Sequence, residues 1–249
     1  MNIKVFFLLC FFSAMSHASV NVDILENGQP VESLTLPEGA RLSDLLHHDK
    51  IPANTYWRTA QLTNTKRMQS AETEKLSVIN ELNRLQQRWH EMQRDDLAAS
   101  TQKIIQDVSA TQVTGRFAIA LDPDLSRAEP MHNPLLKGDY TLFIAPRKPL
   151  LHLIGLTSSD ARQVLYSGVG LSDYWQAYHL LPGADPAFMY VIQPTAEVTD
   201  VPVAIWNKLH REPMAGATLF IGFDPELLPA EHKNINKRIA TLMTNRVPQ

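Results

Sequence analysis

The sequence predicts an α+β protein built from two tandem β-grasp units, with an α-helical hairpin inserted in the first and an amphipathic helix at the C-terminus. Three observations lead there. Pro134-x-x-x-Gly138-x-x-Thr141-Leu142-Phe143-Ile144, a turn feeding a short apolar strand, returns as Pro213-x-x-Gly216-x-Thr218-Leu219-Phe220-Ile221. Upstream of each copy, Gly39-x-x-Leu42-Ser43-Asp44-Leu45-Leu46 returns as Gly168-x-x-Leu171-Ser172-Asp173-Tyr174-Trp175. Two signals recurring in one order argue for a duplicated unit. Finally, the paired glycines lie 99 residues apart in the first copy and 48 in the second, and the excess is close to the helical tract from Thr63 to Ala110. The expected divisions are a signal sequence (1–18), a first β-grasp domain (19–146) with its insertion at about 63–110, a second β-grasp domain (147–226) and a terminal helix (227–249).

Taken in order, Lys4, the apolar Val5–Met15 and the small-x-small Ser16-His17-Ala18 have the pattern of a cleavable secretory signal, too short to span a bilayer. Cys10 lies inside the apolar region behind Leu9, which argues against a lipoprotein. Val20 to Ile24 alternates apolar and polar residues, the period of a half-buried strand. Asn27-Gly28 then turns the chain, because a type I′ turn needs positive φ at both central residues, and Val31–Leu36 returns. Leu42, Leu45 and Leu46 fall on one face of a short helix. A hairpin followed by a helix crossing the sheet is the opening of a β-grasp.

Ile51–Thr63 reads as a connector. In the long helix after it, Leu76, Ile79, Leu82, Leu85, Trp89 and Met92 recur at three- and four-residue steps. Arg94-Asp95-Asp96 reverses the chain, with Asp95 or Asp96 expected to cap a second helix whose apolar side is Leu97, Ile104, Ile105 and Val108. So short a connection makes the two helices antiparallel. Their stripes need a cover, either the protein's own body or a docking partner. Val113–Leu121 is expected to resume the sheet, Phe117, Ile119 and Leu121 on one face and Arg116, Ala118 and Ala120 on the other. Asp122-Pro123-Asp124 ends that strand in a turn, and Gly138–Ile144 closes the unit.

The second unit opens with a hairpin of Leu150–Leu156 and Gln163–Tyr166. A helix carrying Leu171, Tyr174, Trp175 and Tyr178 follows, then strands at Met189–Ile192, Glu197–Val203 and Thr218–Phe223. Beyond Pro229, Ile235, Ile239, Leu242, Met243 and Val247 share a helix face. That face either packs back on the body or meets a membrane or a protein.

Composition narrows the function. The single cysteine, Cys10, belongs to the expected signal, so a secreted chain would be held by core packing without disulfides, and thiol catalysis is excluded. A net charge of −3 gives no field for nucleic acid. Among motifs, a Gly-rich phosphate loop, a nucleophile elbow and a zincin helix are all missing from the sequence. His47-His48 are neighbours and diverge on a helix, so no metal site is expected. His210-Arg211-Glu212 sits in a loop where adjacent side chains do not converge. Asp122 and Asp124 could be imagined as a glycosidase pair, which needs two carboxyls facing across a sugar, but they flank a proline where turn chemistry explains them. Arg116 is the leading ligand-binding candidate: its expected same-face neighbours are alanines, and a guanidinium roofed by the helical insertion needs a carboxylate, a phosphate or an internal partner.

Val113-Thr114-Gly115-Arg116, Leu121-Asp122-Pro123-Asp124, Asn133-Pro134, Gly138-Asp139-Tyr140-Thr141-Leu142, Pro202-Val203-Ala204-Ile205-Trp206-Asn207-Lys208 and Asn245-Arg246-Val247-Pro248 together resemble the GfcC/YjbG-type capsule and exopolysaccharide biosynthesis proteins. The resemblance spans the chain after the signal, and Ala204–Lys208 is its most diagnostic stretch. It departs at Tyr56-Trp57-Arg58-Thr59-Ala60, where relatives read Trp-Trp-Pro-Gly-Ala, and at Leu209, where an Arg is usual. It implies SLBB-like β-grasp domains akin to those of the outer-membrane polysaccharide exporter, and a pocket role for Arg116. It further implies a non-enzymatic periplasmic accessory, without cofactor, that works with the export machinery or the polysaccharide itself, as a monomer. The competing expectations are a periplasmic carbohydrate-active enzyme using Asp122, Asp124 or His210, and a structural subunit docked on a membrane through residues 230–249.

Overall fold

The computed structural model describes residues 19–204 and 210–249. The expected signal sequence lies outside the described residues, as do Ile205 to Lys208 of the diagnostic stretch and Leu209. Two mixed sheets are present. The first comprises β1 (Val20–Glu26), β2 (Gln29–Leu36), β3 (Gln61–Thr63) and β4 (Asp139–Ile144) in the order β2-β1-β4-β3. The second comprises β5 (Leu150–Gly155), β6 (Arg162–Val164), β7 (Phe188–Ile192), β8 (Val198–Pro202) and β9 (Thr218–Ile221) in the order β6-β5-β9-β7-β8.

The two sheets share a wiring. In the first, β1 pairs antiparallel with β2 and parallel with β4, and β3 adds antiparallel to β4. In the second, β5 pairs antiparallel with β6 and parallel with β9, and β7 adds antiparallel to β9. Each hairpin is followed by a short helix, α1 (Leu42–Leu46) or α5 (Leu171–Gln176). The echoed residues do the same job in each copy. Gly39, Gly138, Gly168 and Gly216 all have positive φ. The backbone N–H groups of Arg41 and Gly170 each donate to the carboxylate three residues on, Asp44 or Asp173. What differs lies between the third and last strands. The first copy carries α2 (Thr65–Glu91) and α3 (Asp95–Ala110) there, and the second carries β8.

Local chemistry explains most elements. Asn27 and Gly28 both take positive φ, which closes the β1–β2 turn. Asn64 caps α2 by accepting from the Arg67 N–H at 3.0 Å. At α3 the capping expectation fails: Arg94 occupies the cap position without a side-chain bond. Asp95 is drawn to His90 (2.8 Å) and Asp96 to Arg94 (3.1 Å), so both carboxylates are spent on side chains.

The helical pair is covered by the body. Val78, Leu82, Leu85 and Trp89 of α2 and Leu97, Ile104, Ile105 and Val108 of α3 join one core with the second sheet and with α6 (Ile235–Met243). Ile235, Ile239, Leu242 and Met243 are buried there, so the apolar face of α6 is spent on its own chain. The stripe read along α2 was too long. Leu76 and Met92 are 53% and 50% exposed, because Val78 rather than Leu76 faces the core and Met92 already terminates the helix. The first sheet and α1 enclose a smaller core of their own around Ile24, Leu42, Leu62 and Leu142.

Two further corrections concern backbone. Ile51–Thr63 is not all connector, since its end forms edge strand β3. Val113–Leu121 is not a strand. Its one ladder contact is a bridge from Val113 to Arg246, and its other backbone groups go elsewhere. Thr114 N–H donates to Asn245 O (2.8 Å), Arg116 N–H to Asn245 Oδ1 (3.0 Å) and Phe117 N–H to Leu62 O (2.8 Å). Residues 245–247 thus strap the two sheets together, completed by Val247 N–H to Gln112 O (3.0 Å) and Gln61 Nε2 to Arg246 O (2.8 Å).

Candidate functional site

The segment after α3 and the first turn of α2 face each other across a groove of about 1090 Å³. Its walls include Trp57 and Arg58 from the connector, Asn64, Lys66 and Arg67 from the start of α2, and residues 115–122. Thr195, Ala196, Thr244 and Asn245 close it from the second unit and the strap.

Gly115 sets the geometry. Its φ is +63°, and a Cβ built there would lie 2.1 Å from the backbone oxygen of Arg67. Only glycine lets the chain touch the first turn of α2 in this way. The contact is locked from behind: Thr63 Oγ1 donates to Thr114 O (2.6 Å) and Gly115 O (3.1 Å), and Thr114 Oγ1 donates to Gln61 Oε1. All of these are buried, so the backbone entering Arg116 is held on both sides.

Arg116 lines the groove half-buried. One of its donors, Nη1, is given to Pro194 O at 2.7 Å, and no carboxylate pairs with it among the described residues. Burial alone pulls the guanidinium below its ordinary value. The rest of its fork remains available. Arg67 stands beside it, donating to Arg116 O (3.2 Å) with its guanidinium 4.3 Å from the centre of the Phe117 ring. That stacking orients a planar cation at the groove wall. With Arg58 and Lys66, the groove carries four cationic side chains against one carboxylate, Asp122.

Asp122 is occupied. It caps α4 (Pro123–Ala128), its Oδ1 accepting from Asp124 N–H (3.0 Å) and Leu125 N–H (3.1 Å). Asp124 is an exposed first-turn residue of that helix and does not line the groove. The two do not face each other across a cleft; the turn expected at Asp122-Pro123-Asp124 is a helix cap. Against the expectation that side chains at 210–212 do not converge, His210 pairs with Glu212 at 3.3 Å, but on the exposed surface, and Glu212 and Arg211 O accept backbone N–H bonds from Gly168 and Leu171. His47 bonds Ser43 O and His48 pairs with Asp49, so neither combines with the other.

Of the three candidate residues, then, the structure brings Arg116 and Asp122 to one groove and leaves Asp124 outside. Sequence reasoning missed Arg58, Lys66, Arg67 and Asn245. For Lys66 and Arg67 a signal was present. Two cations at the second and third positions of a helix, with no acid in the first turn, oppose the helix dipole and cost ~0.3–1 kcal/mol each. Such a placement is expected where a ligand needs it.

The family model for capsule biosynthesis GfcC, N-terminal, matches residues 18–147, and that for the GfcC C-terminal region matches residues 159–248. The chain is 31% identical over 242 residues to the uncharacterized protein YjbG of Escherichia coli (strain K12), covering 97% of this chain and 96% of that protein.

Proposed function

Given that the chain belongs to the GfcC capsule biosynthesis family, we propose that it is a non-enzymatic periplasmic accessory in the assembly or export of a surface polysaccharide, gripping an anionic glycan or lipid-phosphate end at Arg116. The observation that carries the reading is the imbalance in the groove. Four cationic side chains face a space large enough for more than one sugar, and the single carboxylate there is spent on a helix cap. An arginine held by its backbone, with most of its fork unspent, suits a carboxylate or phosphate bidentately. Trp57 and Phe117 add apolar surface of the kind that sugar rings pack against.

Both sheets are read as β-grasp, SLBB-like units, supported by the shared order of hairpin, helix, a strand antiparallel to the last one, and a last strand parallel to the first. The secretory pattern of residues 1–18 supports the periplasm, and the export machinery is the partner this reading requires. The enzyme alternative would need Asp122 as a free acid or base, and its Oδ1 is already committed to the Asp124 and Leu125 N–H groups of the α4 cap. Docking through the terminal helix would need an apolar face that already packs on α2.

The test is a deletion strain complemented with wild type or Arg116→Gln, measuring surface polysaccharide amount, chain length and retention. Arg116→Gln should reproduce the deletion phenotype while the purified variant keeps its fold by circular dichroism. Normal polysaccharide from the Arg116→Gln strain would overturn the assignment of the groove. Normal polysaccharide from the deletion strain would overturn the accessory role itself.

A further inference from the structure

A second concentration of positive charge lies at the seam between the two sheets, lined by Arg246 of the strap where the groove is lined by Asn245. It is built by register. His152 on β5 is the Cα partner of Arg162 on β6 and of Thr218 on β9, which sets these three side chains in a row across one face of the second sheet. Arg246 of the strap lies on the end of that row, donating Nε–H to Thr218 Oγ1 (3.1 Å) and Nη2–H to Gly216 O (3.2 Å). Lys148, held by Asn27 Oδ1 at 3.0 Å, reaches the same hollow of about 80 Å³.

The charged side chains that line the hollow, Lys148, Arg162 and Arg246, are all cationic. Neither Asp nor Glu lines it among the described residues. Arg246 is bonded solely to neutral oxygens there, and burial pushes its guanidinium down to about 10. Arg162 and the imidazole of His152 make no hydrogen bond or ion pair among the described residues. A buried guanidinium without an anion is costly. A hollow of this size holds a few waters' worth of volume, which is the size of one small ion rather than of a sugar.

We propose that this seam is an anion site, distinct from the Arg116 groove, in which Arg246, Arg162, His152 and Lys148 take a tetrahedral oxyanion: a phosphate group, either free or at the end of an ester. Two donors of the Arg246 fork are still unspent, Arg162 approaches from β6, and Lys148 from the segment joining the two sheets, where Asn27 of the β1–β2 turn holds it. Occupancy would therefore tie the second sheet to the first through charge as well as packing. The site does not depend on the groove's ligand.

The experiment uses the mature protein, with thermal unfolding read against rising inorganic phosphate in one arm and glucose 1-phosphate in the other, at constant ionic strength. Wild type and Arg116→Gln should both be stabilised, while Arg162→Gln/Lys148→Gln should need roughly a hundredfold more ligand for the same shift, since two charge-assisted bonds are lost and each is worth about a factor of ten. Arg162 is exposed, so that variant should fold. A shift with inorganic phosphate alone assigns a free ion, and a shift with both assigns a site open to esters. No shift in either arm overturns the proposal. A shift lost in Arg116→Gln but kept in the double variant also overturns it and places the ligand in the groove. A second readout is the His152 imidazole by NMR. Burial, then Arg246, Arg162 and Lys103, hold it down to about 4, and Lys103 is itself partly neutralised by Asp107 at 2.6 Å. Phosphate bound beside it should raise that value, and an unmoved titration would count against the site.

Discussion

Replacing Gly115 by alanine tests the geometry from which the groove follows. Two costs arise. A positive φ on an L residue costs about 1–2 kcal/mol. The new Cβ would also stand 2.1 Å from Arg67 O and 3.2 Å from the Ala71 Cβ, and neither can rotate away because one is helix backbone and the other sits beneath it. Relieving such a clash by shifting packed backbone costs a further ~1–3 kcal/mol. Gly39 provides the matched control. Its φ is +85°, but a Cβ there meets nothing within 4 Å, so Gly39→Ala carries only the conformational cost. Urea unfolding of the two variants should therefore separate by about 1–3 kcal/mol, with Gly115→Ala the less stable. The displaced first turn of α2 should also weaken any ligand seen by Arg67 and Arg116. Equal destabilisation of the two variants would show that the contact between Gly115 and α2 is not tight, and the argument for a fixed Arg116 would go with it.

Other outcomes are equally specific. Ile239→Ala empties a fully buried position of α6 and should cost about 2–5 kcal/mol in urea unfolding; a neutral result would mean the helix is not part of the core. Asp122→Ala removes the α4 cap and should cost about 0.5–2 kcal/mol while leaving polysaccharide unchanged in complementation, whereas loss of polysaccharide from a folded variant would favour a chemical role. Acid should weaken the protein through His152, whose folded value of about 4 lies below its ordinary 6.5. The unfolded chain takes up that proton first, so the contribution is complete above pH 6.5 and is lost as pH falls from 6.5 to 4, by up to about 3 kcal/mol. His152→Gln should flatten that part of the stability-against-pH curve, and an unchanged slope would refute the assignment.

How much of this was legible in the sequence depended on whether the cause was local. Asn27-Gly28 and the paired Gly39 and Gly168 announce backbone that must turn, and their neighbours alternate or repeat in step with one buried face. The hairpins, both short helices and the last strand of each unit follow from such residues. The alternation of Phe117, Ile119 and Leu121 misled because an extended chain shows period two whether or not a strand lies beside it. There the partners are Asn245, Leu62 and the first turn of α2, from distant parts of the chain, and no local pattern names them. Arg116 could be picked out as a cation among alanines. Part of its company could not, since Arg58 and Asn245 reach the same groove from distant parts of the chain. Leu76 looked like core for a related reason: three-residue spacing along a long helix drifts, and only the covering surface decides which face is inside.

The shared wiring of the two sheets shows why, among the described residues, the groove has no counterpart in the second copy. Between the third and last strands, the second sheet carries β8 and the first carries α2 and α3. Leaving β3 at Thr63, the chain enters α2 within two residues, so the first turn of that helix stands over the edge of the first sheet. Its far half, from Val78 to Trp89, meanwhile packs on the second sheet and α6. A helix that starts at the edge of the first sheet but packs only in the second core leaves a gap at the end where neither core fills it. The return segment through Gly115 and Arg116 lines that gap with the cations that face it. A version with a β8-like strand in place of the insertion should keep the first core, since no α2 or α3 residue belongs to it, and lose the groove. The ligand-facing surface is thus a consequence of where the helical pair was placed, and its chemistry was supplied by residues that a strand-for-strand comparison of the two copies cannot pair.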